Sequence, residues 1–519
     1  MNISMSAKKP FKLFSIRGGV HPDDCKALSA KQSIKTLPMP PLLHIPLQQH
    51  IGAAAASLVM RGENVKKGQL LARSQGVISA PVHAPTSGRI MGVGSYPAHH
   101  ASGLNVSTIT LKPDDKDEWV DGLITRENPF ELSSDEISQA VAVAGIVGMG
   151  GATFPSAVKL NLRTRYQLHT LVINGAECEP YLTCDDRLMQ EHSQQVVKGV
   201  MLMARALGVS NILFSIEDNK PDAITAINSA VMKLKKLIFK LQFKIQVIGL
   251  PTQYPMGSEK HLVQTLTGKE TPARALTADI GIVVHNTATA MAVHDALYLG
   301  RPLVSRVMTV SGGAIRQPEN LRVLLGTPLS QLVDFCGGYK EPPVKLISGG
   351  PMMGQPLPDT RVPVVKGSNG LLALTSAELK ATDEMPCIRC ASCVQACPCG
   401  LVPLEMSAQI RAGNLDNSVN LGLLDCIACG SCSYVCPSHI PLVQYFNYAK
   451  GELAERQRQQ HKMGETKKLT EARTQRMEEI KRVKREMMMK RKKEMEAKKK
   501  LESAKEKSPT DTHKEAAKG

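Results

Sequence analysis

The 519-residue chain contains one Trp, only 4% aromatic residues, and 47 acidic residues against 64 Lys and Arg. It also lacks a run suited to cross a membrane, which needs about 20 predominantly apolar residues. The uncharged stretch Ile137 to Val158 has the length. It is broken by Gly145, Gly148, Gly150, Gly151 and Pro155, and reads as strand, loop and helix start. Ile51 to Met60 is apolar but too short. Lys8, Lys9 and Lys12 near Pro10 have no apolar core behind them and do not read as a secretory signal. The expectation is a chain kept in the cytosol, where clustered cysteines are metal ligands more often than disulfides. Membrane association would then come through a partner or the tail.

What is present is ordinary in bulk. An apolar fraction of 42% with 21% charged residues excludes wholesale disorder. At about 100–200 residues per domain, the length predicts three or four domains. The net charge of +17 invites a nucleic-acid or acidic-membrane reading until it is located. From Gly451 to Gly519 there are 22 basic and 13 acidic residues, +9 of the total, and no Phe, Trp or Tyr. The body before it is only mildly basic.

After an N-terminal segment, 1–37, residues 38–135 read as short β segments punctuated by Gly and Pro. They resemble the barrel-sandwich of biotinyl and lipoyl domains. Those domains carry a modified Lys at a hairpin tip, but no Lys occurs here between Lys67 and Lys112. A structural module without a swinging arm is expected. Residues 136–302 alternate helix and strand: Leu171–Asn174, Asn211–Ile216 and Ile245–Ile248 are apolar strands, Asp186–Leu207 has helical spacing, and Pro221 opens a helix. This argues an α/β unit with a largely parallel sheet. Short strands around one helix fill 303–365, a cysteine-rich segment lies in 366–450, and 451–519 is a basic tail, helical by propensity or disordered, with no apolar stripe.

Eight of the 13 cysteines fall in two copies of one pattern: Cys387-x-x-Cys390-x-x-Cys393-x-x-x-Cys397-Pro398 and Cys426-x-x-Cys429-x-x-Cys432-x-x-x-Cys436-Pro437. Counterparts lie 39 positions apart, so the pattern is an internal duplication. Three thiolates on a tight loop can cap three irons of a cubane cluster, while the fourth, before Pro, is turned toward the cluster of the other repeat. Cys387, Cys390, Cys393 and Cys436 then hold one [4Fe-4S] cluster, and Cys426, Cys429, Cys432 and Cys397 the other. Zinc also takes Cys-x-x-Cys pairs, but two full copies closed by Cys-Pro favour iron–sulfur. Cys25, Cys178, Cys184, Cys336 and Cys399 read as structural thiols. Two clusters in one fold make an electron relay, with some 380 residues ahead of it to feed or drain it.

The loop Gly148-Met149-Gly150-Gly151-Ala152-Thr153-Phe154-Pro155 precedes a short helix through Lys159, and bare backbone N–H groups there could approach a phosphate. The turn Asn174-Gly175-Ala176-Glu177-Cys178-Glu179-Pro180 adds polar groups at the mouth of an α/β sheet, where ligands bind. These two, with Tyr254-Pro255-Met256-Gly257-Ser258-Glu259 and His285-Asn286-Thr287-Ala288-Thr289, occur in the order found in the flavin-binding subunit of respiratory complex I, which they resemble. The segment Val307 to Pro356 is similar to that family's β-grasp domain. With the barrel-sandwich, the two ferredoxin motifs and the Lys-rich tail, residues 10–450 resemble the C-subunit family of Rnf (Rsx) ion-translocating oxidoreductases.

The resemblance implies a multidomain α/β and α+β fold: barrel-sandwich β module, α/β flavin domain, β-grasp domain, helical dicluster ferredoxin-like domain and basic tail. It implies FMN, with Gly148, Gly150, Gly151 and Lys159 on its phosphate and ribityl side, and Asn174, Glu177, Gly257, Asn286 and Thr289 lining the flavin. Phe154, Glu179 and Glu259 would face NADH. Three positions depart from the complex I pattern: Ala176 replaces an Asp, Met149 an Arg and Ser258 a Glu. The implied function is a peripheral oxidoreductase subunit on the cytoplasmic face of the bacterial inner membrane. It would exchange electrons between NADH and a ferredoxin-like partner through FMN and two clusters, with sodium or proton translocation left to membrane subunits. A cluster-only relay with no working flavin site is the competing reading, carried by the three departures. A nucleic-acid role is carried only by the charge, and would make function depend on the tail and on salt. Deleting the residues after Lys450 is therefore expected to leave electron transfer by the reconstituted chain unchanged; its abolition would reinstate the nucleic-acid reading.

Overall fold

A computed structural model describes residues 11–100, 102–379 and 383–505. Two compact units divide the chain, Met1–Asn447 and Tyr448–Gly519. Among the described residues, no helix is long and apolar enough to cross a membrane.

In the first unit, a four-stranded antiparallel sheet, in the order Leu43–Pro46, Asn105–Pro113, Gly88–Pro97, Asn64–Val65, packs with a three-stranded one of Ala56–Ser57, Leu70–Arg73 and Val82–His83. Alternate residues point inward, and Leu43, Ile45, Leu71, Val82, Ile90, Ile109 and Leu111 form one core. The single Trp has a defined place. Trp119 lies between Lys67, 5.0 Å from its ring, and Arg301, 5.1 Å from it, a pair of cation–π contacts joining this module to the next.

The α/β sheet is wholly parallel, in the order Lys244–Leu250, Asn211–Glu217, Thr170–Gly175, Ile282–Asn286. Strands Asn211–Glu217, Thr170–Gly175 and Ile282–Asn286 are buried on both faces, as a covered sheet requires, while edge strand Lys244–Leu250 exposes Lys244 and Gln246. Leu171, Ile173, Phe214 and Val283 belong to one core with helices Ser134–Val143, Ser193–Leu207 and Thr287–Leu299. Val172, Leu213 and Val284 face Leu262 and Leu266 of helix Glu259–Thr267. The expectation that Ile137 opens a strand is corrected: it lies within helix Ser134–Val143. Ser133 and Glu136 form a reciprocal capping box, and Ile137 and Val141 repeat at helical spacing on the buried face.

A six-stranded mixed sheet follows, in the order Ile34–Thr36, Glu319–Leu324, Ser305–Ser311, Gly370–Leu374, Lys345–Ser348, Gln355–Leu357, with helix Leu329–Phe335. Its first strand comes from the N-terminal segment and runs parallel to Glu319–Leu324, with Ile34 opposite Asn320. The cysteine-rich segment forms two one-turn helices, Ser392–Gln395 and Ser431–Tyr434, with Pro403–Arg411 and Leu415–Asn420 between them.

In the second unit, the described residues belong to helix Leu442–Lys505 and are almost all exposed, with surface pairs such as Arg458–Glu455 and Arg482–Glu479. The tail is thus a solvated helix through Lys505, and 506–519 lie outside the described residues.

Helices Ser193–Leu207 and Thr287–Leu299 cross at Gly199, where an added Cβ would stand 1.9 Å from the Ala290 carbonyl oxygen. Backbone cannot yield as a side-chain tip can. Gly199→Ala should cost about 1–3 kcal/mol, and a thermal midpoint equal to wild type would contradict this packing.

Candidate functional site

The strand order places Thr170–Gly175 beside Ile282–Asn286, while the chain's next two strands lie on the other side. The crevice outside the carboxyl ends of these two strands is a topological switch point, where α/β sheets bind ligands. Asn174 and Asn286 are direct neighbours in the register, so the two motifs ending in them meet at this crevice.

Each strand end makes its own turn. Asn286 caps helix Thr287–Leu299, its Oδ1 accepting from Ala288 N at 2.8 Å, and its Nδ2 donates to Asp185 Oδ2 at 2.7 Å. Asn174 Nδ2 donates to the Gly257 carbonyl at 2.8 Å. Glu177, at φ 46°, turns its carboxylate onto the first turn of helix Cys184–Glu191, accepting from Asp185 N at 2.7 Å and Asp186 N at 3.1 Å. That is a favourable place for negative charge. The glycine loop closes over the same corner. Met149 N donates to Thr289 Oγ1 at 3.0 Å, and a Cβ on Gly150 would crowd Asn286 at 3.2 Å. Gly151, at φ 115°, faces open space. Lys159 pairs with Glu259 and donates to the Val284 carbonyl at 2.7 Å. Phe154 contributes through its carbonyl, which accepts from Gly148 N at 2.8 Å.

Glu179 points to the neighbouring domains. Its carboxylate accepts from Met352 N at 3.0 Å and Met353 N at 2.9 Å, and the Tyr254 hydroxyl lies 3.4 Å away. Gly350 must be Gly: a Cβ there would fall 2.2 Å from the Glu179 carboxylate. Burial raises the Glu179 pKa to about 6 despite these donors. Asp185 is pushed up further, to about 7, by burial and by Glu177.

The two cysteine motifs are built alike. Arg389 and Ala428 are both left-handed, at φ 55° and 54°, as are Ala391 and Gly430 at 62° and 81°. In each, a backbone N–H donates to the first sulfur, Arg389 N to Cys387 and Ala428 N to Cys426, both at 3.4 Å. The fourth cysteine crosses over. Burial raises the Cys393 thiol, and the thiols of Cys436 and Cys387 push it the same way. Cys432 rises to about 12 through burial, then through Cys429, Cys426 and Cys397. Cys397, Cys426, Cys429 and Cys432 line one pocket, of about 360 Å³ with its mouth included. Cys387 and Cys390 are exposed.

Family models match in the same order: the RnfC barrel sandwich hybrid domain over 14–116, the Nuo51 FMN-binding domain over 141–295, the SLBB domain over 307–356 and the 4Fe-4S dicluster domain over 380–467. A Rhodobacter capsulatus protein, named as the C-subunit of an ion-translocating oxidoreductase complex, is 58% identical over 452 residues, 87% of this chain and 86% of its own. The chain belongs to the C-subunit family of ion-translocating oxidoreductase complexes. A Clostridium ljungdahlii relative, named as the C-subunit of a proton-translocating ferredoxin:NAD(+) oxidoreductase complex, is 47% identical over 85% of this chain and 94% of its own. A Haemophilus influenzae member of the family is 41% identical over 90% of this chain and 69% of its own.

As a member of this family, the chain is an electron-relay subunit of a membrane-associated, ion-translocating oxidoreductase, with an FMN-binding domain and two [4Fe-4S] clusters. Other subunits of that complex are its partners. The C-subunit fold also recruits residues to the crevice that motif reading passed over. Asp185 joins Asn286 to Glu177, and Arg306, fully buried in the β-grasp strand, lies 3.5 Å from the Met149 carbonyl. Lys26 donates to the carbonyls of Glu177 and Glu179. The signal for Asp185 was an acidic pair after the turn, at a helix start; Arg306 and Lys26 lie too far away in sequence for local pattern to reveal.

Because folding raises the Glu179 pKa, the native state binds more protons there than the unfolded chain. Stability from this group is full below about pH 4.5 and lost as pH rises through about 6, by about 2 kcal/mol. Glu179→Gln should flatten that part of the pH profile of thermal unfolding; an unchanged slope would assign it elsewhere.

Proposed function

We propose that the crevice at the switch point holds FMN and admits NADH. Gly148, Gly150, Gly151 and Lys159 take the phosphate and ribityl side, Asn174, Glu177, Gly257, Asn286 and Thr289 line the flavin, and Phe154, Glu179 and Glu259 face the nicotinamide nucleotide. The residues fit such a guest. A Cβ at Gly150 would fill the corner against Asn286, and Gly151 opens outward beside it. His285 Nε2, next to Asn286 in the chain, is buried with no hydrogen-bond partner among the described residues.

The eight cysteines fit two clusters for a chemical reason. Cys397, Cys426, Cys429 and Cys432 converge on one pocket, and four thiolates so close together need a cationic group between them. We assign Cys387, Cys390, Cys393 and Cys436 to one [4Fe-4S] cluster and Cys426, Cys429, Cys432 and Cys397 to the other. Bound FMN would supply the exchange between two-electron and one-electron transfer, while the protein supplies binding and orientation.

One contact carries the order of the relay. The Tyr254 hydroxyl donates to the Cys429 carbonyl at 2.7 Å, while its other neighbour is Glu179 of the crevice. Buried Tyr254 therefore bridges Glu179 and the buried thiol set, leaving the set with exposed Cys387 and Cys390 outermost. A ferredoxin-like partner or another subunit would exchange electrons there, in either direction. The chain would dock peripherally on the cytoplasmic face of the bacterial inner membrane, its partners moving the ion.

The full chain, reconstituted anaerobically, is expected to retain iron, sulfide and FMN together and to show cluster reduction by NADH. Cys436→Ser should lose half the iron and keep NADH-driven reduction of the remaining cluster. Cys397→Ser should also lose half the iron but abolish that reduction. The reverse pattern would overturn the crossed pairing, and wild-type protein without FMN would overturn the crevice assignment.

A further inference from the structure

Lys26 lies in a short helical turn, Lys26–Leu28, ahead of the first strand, Ile34–Thr36, yet its side chain ends beneath the acidic turn. It is 6% exposed. Its Nζ donates to three main-chain carbonyls, those of Glu177 at 2.9 Å, Glu179 at 2.9 Å and Leu182 at 2.5 Å. An ammonium has three hydrogens, so this geometry uses each of them; a neutral amine would leave one carbonyl without a donor.

The conformation so held is an uncommon one. Glu177 and Tyr181 are both left-handed, at φ 46° and 68°, which non-glycine residues adopt only where the surroundings impose it. Three carbonyls converging on one point also repel one another unless a cation lies between them. The same turn sends the Glu177 carboxylate to Asp185 N and Asp186 N, and the Glu179 carboxylate to Met352 N and Met353 N. Neighbouring groups hold the strap itself in place. Tyr181 N donates to the Asp24 carbonyl at 2.7 Å, and the Ser29 and Thr183 hydroxyls are 2.7 Å apart. Burial and Lys220 lower the Lys26 pKa, while Glu177 and Glu217 oppose the fall.

We propose that Lys26 is a positioning residue of the redox site: its ammonium, caged by three carbonyls of the acidic turn, sets the backbone that holds the Glu177 carboxylate on helix Cys184–Glu191 and the Glu179 carboxylate on Met352 and Met353, beside the crevice. The inference rests on the reading of that crevice as the FMN and NADH site. It makes the N-terminal strap part of the machinery through the turn that it holds.

The test uses the full chain, reconstituted anaerobically, in three forms: wild type, Lys26→Met and Lys26→Ala. Lys26→Met keeps the bulk of the side chain and removes its charge and donors. Lys26→Ala leaves a cavity shaped for n-propylammonium, which restores the atoms from Cγ to Nζ. With cluster content unchanged, Lys26→Met is expected to weaken FMN retention and raise the KM for NADH about ten- to a hundred-fold, as a misplaced turn would. Added n-propylammonium should restore Lys26→Ala, and 1-propanol of the same shape should not. Wild-type KM and flavin content in Lys26→Met would overturn the proposal. So would loss of clusters and FMN alike in both variants without recovery on adding the ammonium, which would make Lys26 a folding residue. Wild-type protein that holds no FMN fails differently, sinking the crevice reading and this inference with it.

Discussion

The N-terminal strap, the α/β domain and the β-grasp domain all meet in the turn from Asn174 to Leu182, and the turn exists only because its buried polar groups are compensated. Its carbonyls face a lysine from the strap, Glu177 caps a helix of its own domain, and Glu179 takes two backbone donors from the β-grasp domain. A buried carbonyl or carboxylate left without a donor costs more than the bond itself contributes. The turn therefore cannot shift without forfeiting partners on several elements at once. Such over-determination suits a place where two strand ends, a glycine loop and a thiol-bearing loop must keep a fixed spacing.

The dicluster segment meets a related constraint by duplication. Left-handed residues recur at matching positions of the two motifs, Arg389 with Ala428 and Ala391 with Gly430, because a loop that points three sulfurs inward must reverse its backbone twice. The copies differ in what surrounds them. Tyr254, Val20 and Ala396 pack around Cys429, and His261 reaches the Pro398 carbonyl at 3.0 Å. Cys387 and Cys390 remain open to solvent. One ancestral loop thus serves two environments, one dry beside the crevice and one wet at the surface, and dielectric is among the levers that tune an iron–sulfur centre.

Legibility in the sequence followed range. The cysteine spacing was readable because each motif is local and its geometry repeats after 39 residues. The strands Leu171–Asn174 and Asn211–Ile216 were readable as short apolar runs bounded by polar turns, and each extends by only a residue or two in the fold. Helix Ser134–Val143 was misread although Ser133 and Glu136 announce it, because the glycines after it made the whole stretch look irregular. Lys26 and Arg306 gave no local signal, and Tyr254 showed only as the first residue of its motif. Lys26 pairs across more than 150 positions and Tyr254 across 175, and a lone buried Lys or Tyr has no period to detect. The N-terminal strand Ile34–Thr36 was hidden likewise, since its partner Glu319–Leu324 lies across the chain.

The three departures from the complex I pattern are resolved by the same long-range packing. Ala176 is fully buried, its N–H accepted by Asn174 Oδ1 at 3.1 Å, so a carboxylate there would be buried beside Glu177 and Asp185, both already crowded. Met149 is buried too, and the guanidinium that the pattern would lead one to seek at that position comes instead from Arg306, bonded to the Lys366 carbonyl and close to the Met149 carbonyl. Ser258 starts helix Glu259–Thr267 and shares a hydrogen bond with His261 at 2.9 Å, the same histidine that reaches the loop of Cys397. Read singly, the three losses suggested a flavin site fallen out of use. Read in place, they sit among buried charges that Asp185, Arg306 and Lys26 bring from three different parts of the chain.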